Sequence, residues 1–193
     1  MHGWKPRYNI APSQLAPIVT KEGVDEARFG LVPVWEKEFN TKLSTINARA
    51  ETVQTSKLYA RLLKNNRCLI PATSFFEWAT TDHGKQPMLI KLKARPLFYF
   101  AGLYDTWHKG DKDERKSFTI LTTRPNSFMS KIHDRQPRIL EEDQEKPWLN
   151  EDIVNYKVFF GDIFPSPQME AYPVSSLVNR PANDFAEVIK SIV

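Results

Sequence analysis

Short apolar runs rich in aromatic and β-branched residues recur along the 193-residue chain, and most are bounded by Pro, Gly, Asn or Asp. This pattern is typical of β-strands, because such side chains fit a pleated surface while Gly and Pro interrupt it. We predict strands over Ala27–Trp35, Arg67–Ile70, Ser74–Trp78, Met88–Leu92, Leu97–Tyr104, Ser117–Leu121 and Gln168–Tyr172. The charged stretch Lys109–Lys116 is predicted to be a solvated hairpin loop, since its charges alternate in sign.

Helical spacing is clear in one segment and weaker in two others. Ser56–Asn65 places three leucines on one face, with a threonine or serine at its start as the N-cap. Shorter helices are predicted over Asn126–Lys131 and over Glu141–Leu149, where Pro147 weakens the end. Because 14 prolines are spread along the chain and exclude long regular helices, we predict a strand-dominated α+β fold.

Composition fits one globular domain spanning residues 1–193, since 41% of the residues are hydrophobic and 12% are aromatic. A single cysteine, Cys68, excludes an intrachain disulfide and any metal site built on several cysteines. The chain has neither an apolar run long enough to span a membrane nor a signal-peptide core at its start. We therefore expect a cytoplasmic protein that does not act on membranes.

Charge is distributed unevenly along the chain. Residues 1–100 carry 15 Lys/Arg against 8 Asp/Glu, and residues 101–193 carry 12 against 15. A basic half is compatible with binding DNA. Many proteins without such a ligand have a similar charge, so charge alone favours the simpler interpretation that it aids solubility.

Several polar residues lie in apolar or proline-rich segments, where their burial would be costly without a purpose. Between Pro6 and Pro12, Arg7 and Asn9 offer hydrogen-bond donors along an extended path, although an ordinary surface strand would look the same. Trp35 ends a hydrophobic run. It either stacks on a nucleobase, as in single-strand binders, or fills the core.

The segment before the predicted helix combines three polar side chains. Asn47 offers both an amide donor and a carbonyl acceptor, and Arg49 has the planar guanidinium that suits phosphate. We interpret Glu51 as a structural residue that caps the helix.

Glu77 and His133 are the candidates for proton transfer. Glu77 stands between aromatic residues, and burial there would raise its pKa and suit it to donate or accept a proton. A strand position facing water is the alternative. A histidine titrates near neutral pH, and Asp134 would modify the charge of His133, although a lone histidine is more often structural. The remaining histidines are expected at the surface: His2, His83 and His108.

Eight short motifs, each weak alone, follow one another in a specific order. They are Arg7-Tyr8-Asn9-Ile10-Ala11-Pro12, Gly30-Leu31-Val32-Pro33, Ile46-Asn47-Ala48-Arg49-Ala50-Glu51-Thr52, Cys68-Leu69-Ile70-Pro71, Phe76-Glu77-Trp78, Ala101-Gly102-Leu103, Ile132-His133-Asp134-Arg135 and Tyr172-Pro173-Val174-Ser175. With them the chain resembles the SOS response-associated peptidase (SRAP) family from Pro6 to about Pro181, nearly its whole length.

The resemblance implies a protein that processes abasic sites in single-stranded DNA. In the family, self-processing removes the first Met and exposes a cysteine, whose amine and thiol capture the aldehyde of the opened sugar as a thiazolidine. By resemblance, Asn47 would orient the cysteine and sugar, Glu77 would shuttle protons, and His133 would act on the opened sugar. Arg49 and Arg135 would hold flanking phosphates.

The candidate DNA contacts are therefore Arg7, Asn9, Trp35, Arg49 and Arg135. We also expect a monomer that needs neither a metal nor an organic cofactor, since nothing in the sequence demands one.

The chain departs from the family at its start, which reads Met1-His2-Gly3-Trp4 instead of Met-Cys-Gly. The family's cysteine, with roughly the first strand and helix after it, is expected to be missing. A miscalled start site, a shortened chain and a natural variant are the competing explanations, and the intact motifs favour the first. Cys68 is no substitute, because an apolar strand usually keeps a cysteine inert and no free amine adjoins it. The α-amine of Met1 would still allow a reversible imine.

Two other functions are compatible with the same residues. One is a non-catalytic module for single-stranded DNA, with Trp35, Arg49 and Arg135 forming its groove. The other is a hydrolase that uses Glu77 and His133 on another substrate, which would require a serine or cysteine beside the histidine.

Overall fold

The computed structural model describes residues 5–150, 155–161 and 163–193. The strands are β1 (Leu15–Thr20), β2 (Gly23–Phe29), β3 (Asn47–Arg49), β4 (Arg67–Ala72), β5 (Phe75–Thr81), β6 (Gly84–Leu92), β7 (Phe98–Trp107), β8 (Arg115–Thr123), β9 (Gln136–Pro137) and β10 (Met169–Pro173). The helices are α1 (Ala60–Asn65), α2 (Glu142–Asn150) and α3 (Lys157–Phe160), with short 3₁₀ turns between elements. The predicted strand-dominated α+β fold is confirmed.

The larger sheet has seven strands and closes on itself. Its strands follow the order β2-β1-β4-β7-β8-β3, and β9 pairs with β8. A parallel pairing of Arg28 with Ser117 and of Phe29 with Phe118 joins β2 back to β8. The other sheet has the order β10-β6-β5 and carries Glu77 on β5.

The central strands β4 and β7 contribute to two apolar cores at once. Cys68, Ile70 and Phe100 pack in one core, whereas Leu69 and Ala101 pack in the other. Successive side chains of a strand point to opposite faces, so strands buried on both faces appear in the sequence as unbroken apolar runs. This is why both strands could be predicted.

The prediction of a strand over Ala27–Trp35 is right only for its first three residues. β2 ends at Phe29, and Gly30 then adopts a φ of +97°, a conformation that favours glycine and turns the chain. β1 was not predicted because Pro17 interrupts its apolar pattern, and β3 because it has only three residues. The hairpin loop predicted over Lys109–Lys116 is confirmed for residues 109–114, whereas Arg115 and Lys116 belong to β8 and pair with Trp107 and Thr106 of β7.

The first helix is shorter than its pattern predicted. α1 begins at Ala60, and the residues from Ser56 onward form turns in which the Ser56 hydroxyl accepts the Tyr59 N–H at 3.4 Å. The predicted apolar face is present, with Leu62 and Leu63 buried. The interpretation of Glu51 as a helix cap is wrong, because the helix starts well beyond it.

The other two helix predictions differ in outcome. The segment Asn126–Lys131 forms only a 3₁₀ turn over Met129–Lys131, and the Asn126 side chain accepts the Met129 N–H at 2.8 Å. α2 continues through Pro147 to Asn150 while its Trp148 side chain is fully buried. No helix in the described ranges is long and apolar enough to cross a membrane.

Candidate functional site

A cleft of about 980 Å³ is lined by residues from both sheets and from both ends of the chain. Apolar side chains, among them Phe29, Phe75, Phe100 and Phe118, form much of its wall. The predicted site residues that line it are Arg7, Asn9, Asn47, Arg49, Glu77, His133 and Arg135. The fold thus brings together side chains that are more than a hundred residues apart in sequence.

Strand geometry explains why Asn47 and Arg49 face the cleft. β3 pairs in parallel with β8, and Ala48 between them is only 2% exposed and packs in the core. Because strand side chains alternate, Asn47 and Arg49 project from the opposite face, where both are exposed. No hydrogen bond or ion pair to another residue in the described ranges engages either side chain.

Glu77 lies on β5 in an apolar environment. Its neighbour two residues before, Phe75, shares its face of the strand and packs edge-on against Phe100 with ring centroids 5.7 Å apart. Burial raises the pKa of Glu77, while His133 lowers it and Asp134 raises it further. A carboxyl group in this setting holds its proton to a higher pH than an exposed one, which suits it to donate or accept a proton.

The imidazole of His133 has partners on both nitrogens. Nε2 lies 3.9 Å from a carboxylate oxygen of Glu77. Nδ1 lies 3.1 Å from the Arg135 N–H and 3.2 Å from a carboxylate oxygen of Asp134. A neutral Nδ1 can accept from the N–H, and a protonated one can donate to Asp134, so both charge states are accommodated.

Arg135 is held by Glu51, a contact that sequence reasoning missed. Two guanidinium nitrogens donate to the two Glu51 oxygens at 2.8 Å each, and one also donates to the Thr122 carbonyl at 2.7 Å. These bonds lower the pKa of Glu51. Nε of Arg135 is buried and has no hydrogen-bond partner among the described residues. The side chain is therefore fixed beside His133, with one buried donor unused.

The segment containing Arg7 and Asn9 is tied to the C-terminal part of the chain. Asp184 forms an ion pair with Arg7 and accepts the backbone N–H groups of Tyr8 and Asn9 at 2.5 and 2.9 Å. The Asn9 amide donates to the carbonyls of Val178, Arg180 and Asn183 at 3.0 to 3.2 Å. The amide hydrogens of Asn9 are therefore used in hydrogen bonds within the protein, a role that no local sequence signal indicated.

Trp35 is 59% exposed and is not among the residues that line the cleft. The core alternative is therefore wrong. The loop that carries it starts after Phe29 and returns at Asn47, both of which line the cleft. Stacking of Trp35 on a nucleobase stays a prediction.

Three further predictions can be placed on the structure. Cys68 is fully buried, and burial raises the pKa of its thiol, which is consistent with an inert residue. His83 and His108 are exposed, as predicted. The missing cysteine segment, the Met1 α-amine and His2 concern residues 1–4, which lie outside the described residues.

No group of three or more His, Cys, Asp or Glu side chains in the described part of the chain is arranged to hold a metal ion. Among the described residues, the site therefore consists of one partly buried carboxyl group, one imidazole, one amide that no other described side chain engages, and several guanidinium groups. This set can transfer protons and bind anions.

Comparison with known proteins agrees with the sequence motifs. A family model described as SOS response associated peptidase (SRAP) matches residues 1–181. The abasic site processing protein YoaM of Bacillus subtilis (strain 168) is 44% identical, with 96% of this chain and 85% of YoaM covered. The abasic site processing protein YedK of Escherichia coli (strain K12) is 28% identical, with 96% and 85% covered.

A crystal structure of a protein from Bacteroides thetaiotaomicron superposes with a TM-score of 0.82 at 27% identity, covering 94% of this chain and 82% of that one. The sheets described above are therefore shared with a solved structure. From the family model and the relatives together, the chain belongs to the SOS response associated peptidase (SRAP) family.

Proposed function

We propose that this protein processes abasic sites in single-stranded DNA and binds them in the cleft. The observation that carries the proposal is the convergence of Asn47, Arg49, Glu77 and His133 on one cleft. Relatives that are 44% and 28% identical are named abasic site processing proteins, which supports the substrate class.

Glu77 and His133 are the proposed proton-transfer pair. Additions to a sugar aldehyde need a base that deprotonates the nucleophile and an acid that protonates the carbonyl oxygen, and this pair offers a carboxyl group and an imidazole 3.9 Å apart. Asn47 has an amide on the same cleft that no other described residue engages, and it is proposed to orient the sugar.

Arg49 is the proposed main phosphate contact. Its guanidinium is exposed on the cleft and is not engaged by other described residues. The guanidinium groups of Arg7 and Arg135 already bind Asp184 and Glu51, so each has fewer donors left for phosphate. Asn9 is proposed to act indirectly, by holding Arg7 and its neighbours at the rim.

The resemblance to the family adds finer parts to the proposal. In a form that carries the family's N-terminal cysteine, the protein would link covalently to the DNA and remove its own first Met, with Glu77 as the proton shuttle. We propose that the protein acts in the cytoplasm as a monomer.

The first test measures binding to single-stranded DNA that carries a tetrahydrofuran abasic analogue, compared with intact DNA of the same length, at several salt concentrations. We expect tighter binding of the analogue. Arg49→Gln should weaken binding and reduce the slope of log affinity against log salt by roughly 0.7, the value for one phosphate contact on a single strand. Lys64→Gln, which removes an exposed charge on α1 away from the cleft, is the matched control.

The second test measures intact mass after incubation with a true abasic site. The 193-residue chain is compared with a longer one that also carries the residues encoded upstream of Met1. A covalent product that survives without reductant only in the extended chain supports the cysteine mechanism. If neither chain reacts, and each binds intact DNA as tightly as abasic DNA, the protein is a non-catalytic DNA-binding module instead.

The hydrolase alternative gains no support from the site. The described partners of the His133 ring are Glu77, Asp134 and the backbone of Arg135, none of which is a hydroxyl or a thiol.

A further inference from the structure

Lys5 lines the same cleft as Glu77 and His133, and it is the only lysine among the described residues that does so. Its side chain is exposed, and no hydrogen bond or ion pair to another residue in the described ranges engages its ammonium group. A primary amine is therefore available at the rim of a cleft that contains a proton-transfer pair.

The backbone next to Lys5 is fixed in place. Arg7 is ion-paired to Asp184, and the Tyr8 N–H donates to the same carboxylate at 2.5 Å. The anchoring starts two residues after Lys5, with Pro6 between. The flexible Lys5 side chain therefore extends from backbone that is held in place, which limits the positions that its amine can reach.

We propose that the ε-amine of Lys5 forms a reversible imine with the C1′ aldehyde of a ring-opened abasic sugar held in the cleft. This inference rests on the proposed function, since it takes the abasic site as the ligand. The inference adds a covalent step that uses the amine of Lys5 and needs no thiol.

The atoms of the step balance without an oxidant or a reductant. The ammonium group first loses a proton to a base in the cleft, and the free amine then adds to the aldehyde carbon to form a C–N bond. The nitrogen then passes one of its protons to the former carbonyl oxygen, which becomes a hydroxyl group. A second proton, from an acid in the cleft, allows this hydroxyl group to leave as water when its C–O bond breaks, and a protonated imine remains.

Glu77 and His133 are suited to both proton movements. One ionised group takes the ammonium proton, and one protonated group returns a proton to the departing oxygen. Burial raises the pKa of Glu77, so this group holds its proton to a higher pH than an exposed carboxyl group does. The cleft can thus hold one acid and one base at the same time.

No other described nucleophile on the cleft forms such a link. The Cys68 thiol is fully buried and is not among the lining residues. Serine and threonine hydroxyl groups, such as that of Ser74 on the cleft, give hemiacetals, which borohydride does not convert to a stable amine.

The test traps the imine with borohydride on single-stranded DNA that carries one true abasic site. The adduct mass should be the sum of the protein and DNA masses less one oxygen atom, and peptide mapping should place it on Lys5. Lys5→Arg keeps the positive charge but cannot form the imine, so its trapped product should fall to the level seen without protein. Lys131→Arg, an exposed lysine that does not line the cleft, should trap like the wild type.

Binding of the tetrahydrofuran analogue, which has no aldehyde, separates this inference from the proposed function. Equal analogue binding by wild type and Lys5→Arg, with trapping lost only in the variant, supports it. Three outcomes overturn the role of Lys5 and leave the proposed function standing. They are an adduct that maps to the Met1 α-amine, undiminished trapping by Lys5→Arg, and analogue binding without any trapping. If the wild type does not prefer the analogue to intact DNA, both are overturned.

Discussion

The contact between Glu51 and Arg135 offers a quantitative test of the site's architecture. The pair is bidentate at 2.8 Å, with side chains 39% and 21% exposed. A hydrogen bond to a charged group contributes roughly 1.5–3 kcal/mol when buried, whereas an exposed ion pair contributes only about 0.2–1 kcal/mol. Because this pair lies between those limits, we expect a coupling free energy of about 1–2 kcal/mol.

A double-mutant cycle measures this coupling. The free energy of unfolding in urea is determined for the wild type, Glu51→Gln, Arg135→Gln and the double variant. The control cycle uses Glu187 and Lys190, an ion pair of 3.4 Å whose side chains are 58% and 68% exposed. We expect no measurable coupling there.

Two results would refute this reasoning. One is a coupling for Glu51 and Arg135 no larger than in the control pair. The other is a coupling that persists at low pH, because the lowered pKa of Glu51 means that its contribution is complete above the ordinary carboxyl pKa and disappears as pH falls through the lowered value.

Three further substitutions test other parts of the site by urea unfolding. Burial raises the pKa of Glu77, so the wild type should lose stability as pH rises from the ordinary carboxyl pKa through the raised one. Glu77→Gln should abolish this loss, and a variant with the same pH profile as the wild type would contradict the assignment to Glu77. Asn9→Ala should lower the free energy of unfolding by about 1–3 kcal/mol, since it removes the amide donor from the buried Val178 carbonyl and from two partly buried carbonyls, and a loss below about 0.5 kcal/mol would place the amide in solvent instead. Partial burial raises the pKa of Asp184, but the N–H groups of Tyr8 and Asn9 and the Arg7 guanidinium outweigh it and hold that pKa low. The stability gained from Asp184 should therefore be present above the ordinary Asp pKa and vanish as pH falls through the lowered one. If Asp184→Asn loses as much stability in acid as the wild type does, another group is responsible for the loss.

The sequence alone gave reliable information where a residue's environment is set by its own strand. β4 and β7 are buried on both faces, so their apolar runs indicated strands, and the aromatic neighbours of Glu77 indicated an apolar setting that the raised pKa reflects. The eight ordered motifs identified the family. These features are local, because side-chain chemistry and the two-residue period of a strand are written in consecutive positions.

Only the tertiary structure decided which partners each polar group has. Glu51 appeared to be a helix cap and instead binds Arg135, and Asn9 appeared to be a surface donor and instead binds carbonyls near Val178. Trp35, a candidate for the core, is exposed outside the cleft. Such contacts join residues far apart in sequence, so they depend on how the sheets close and where the chain ends meet, and local patterns carry no information on either.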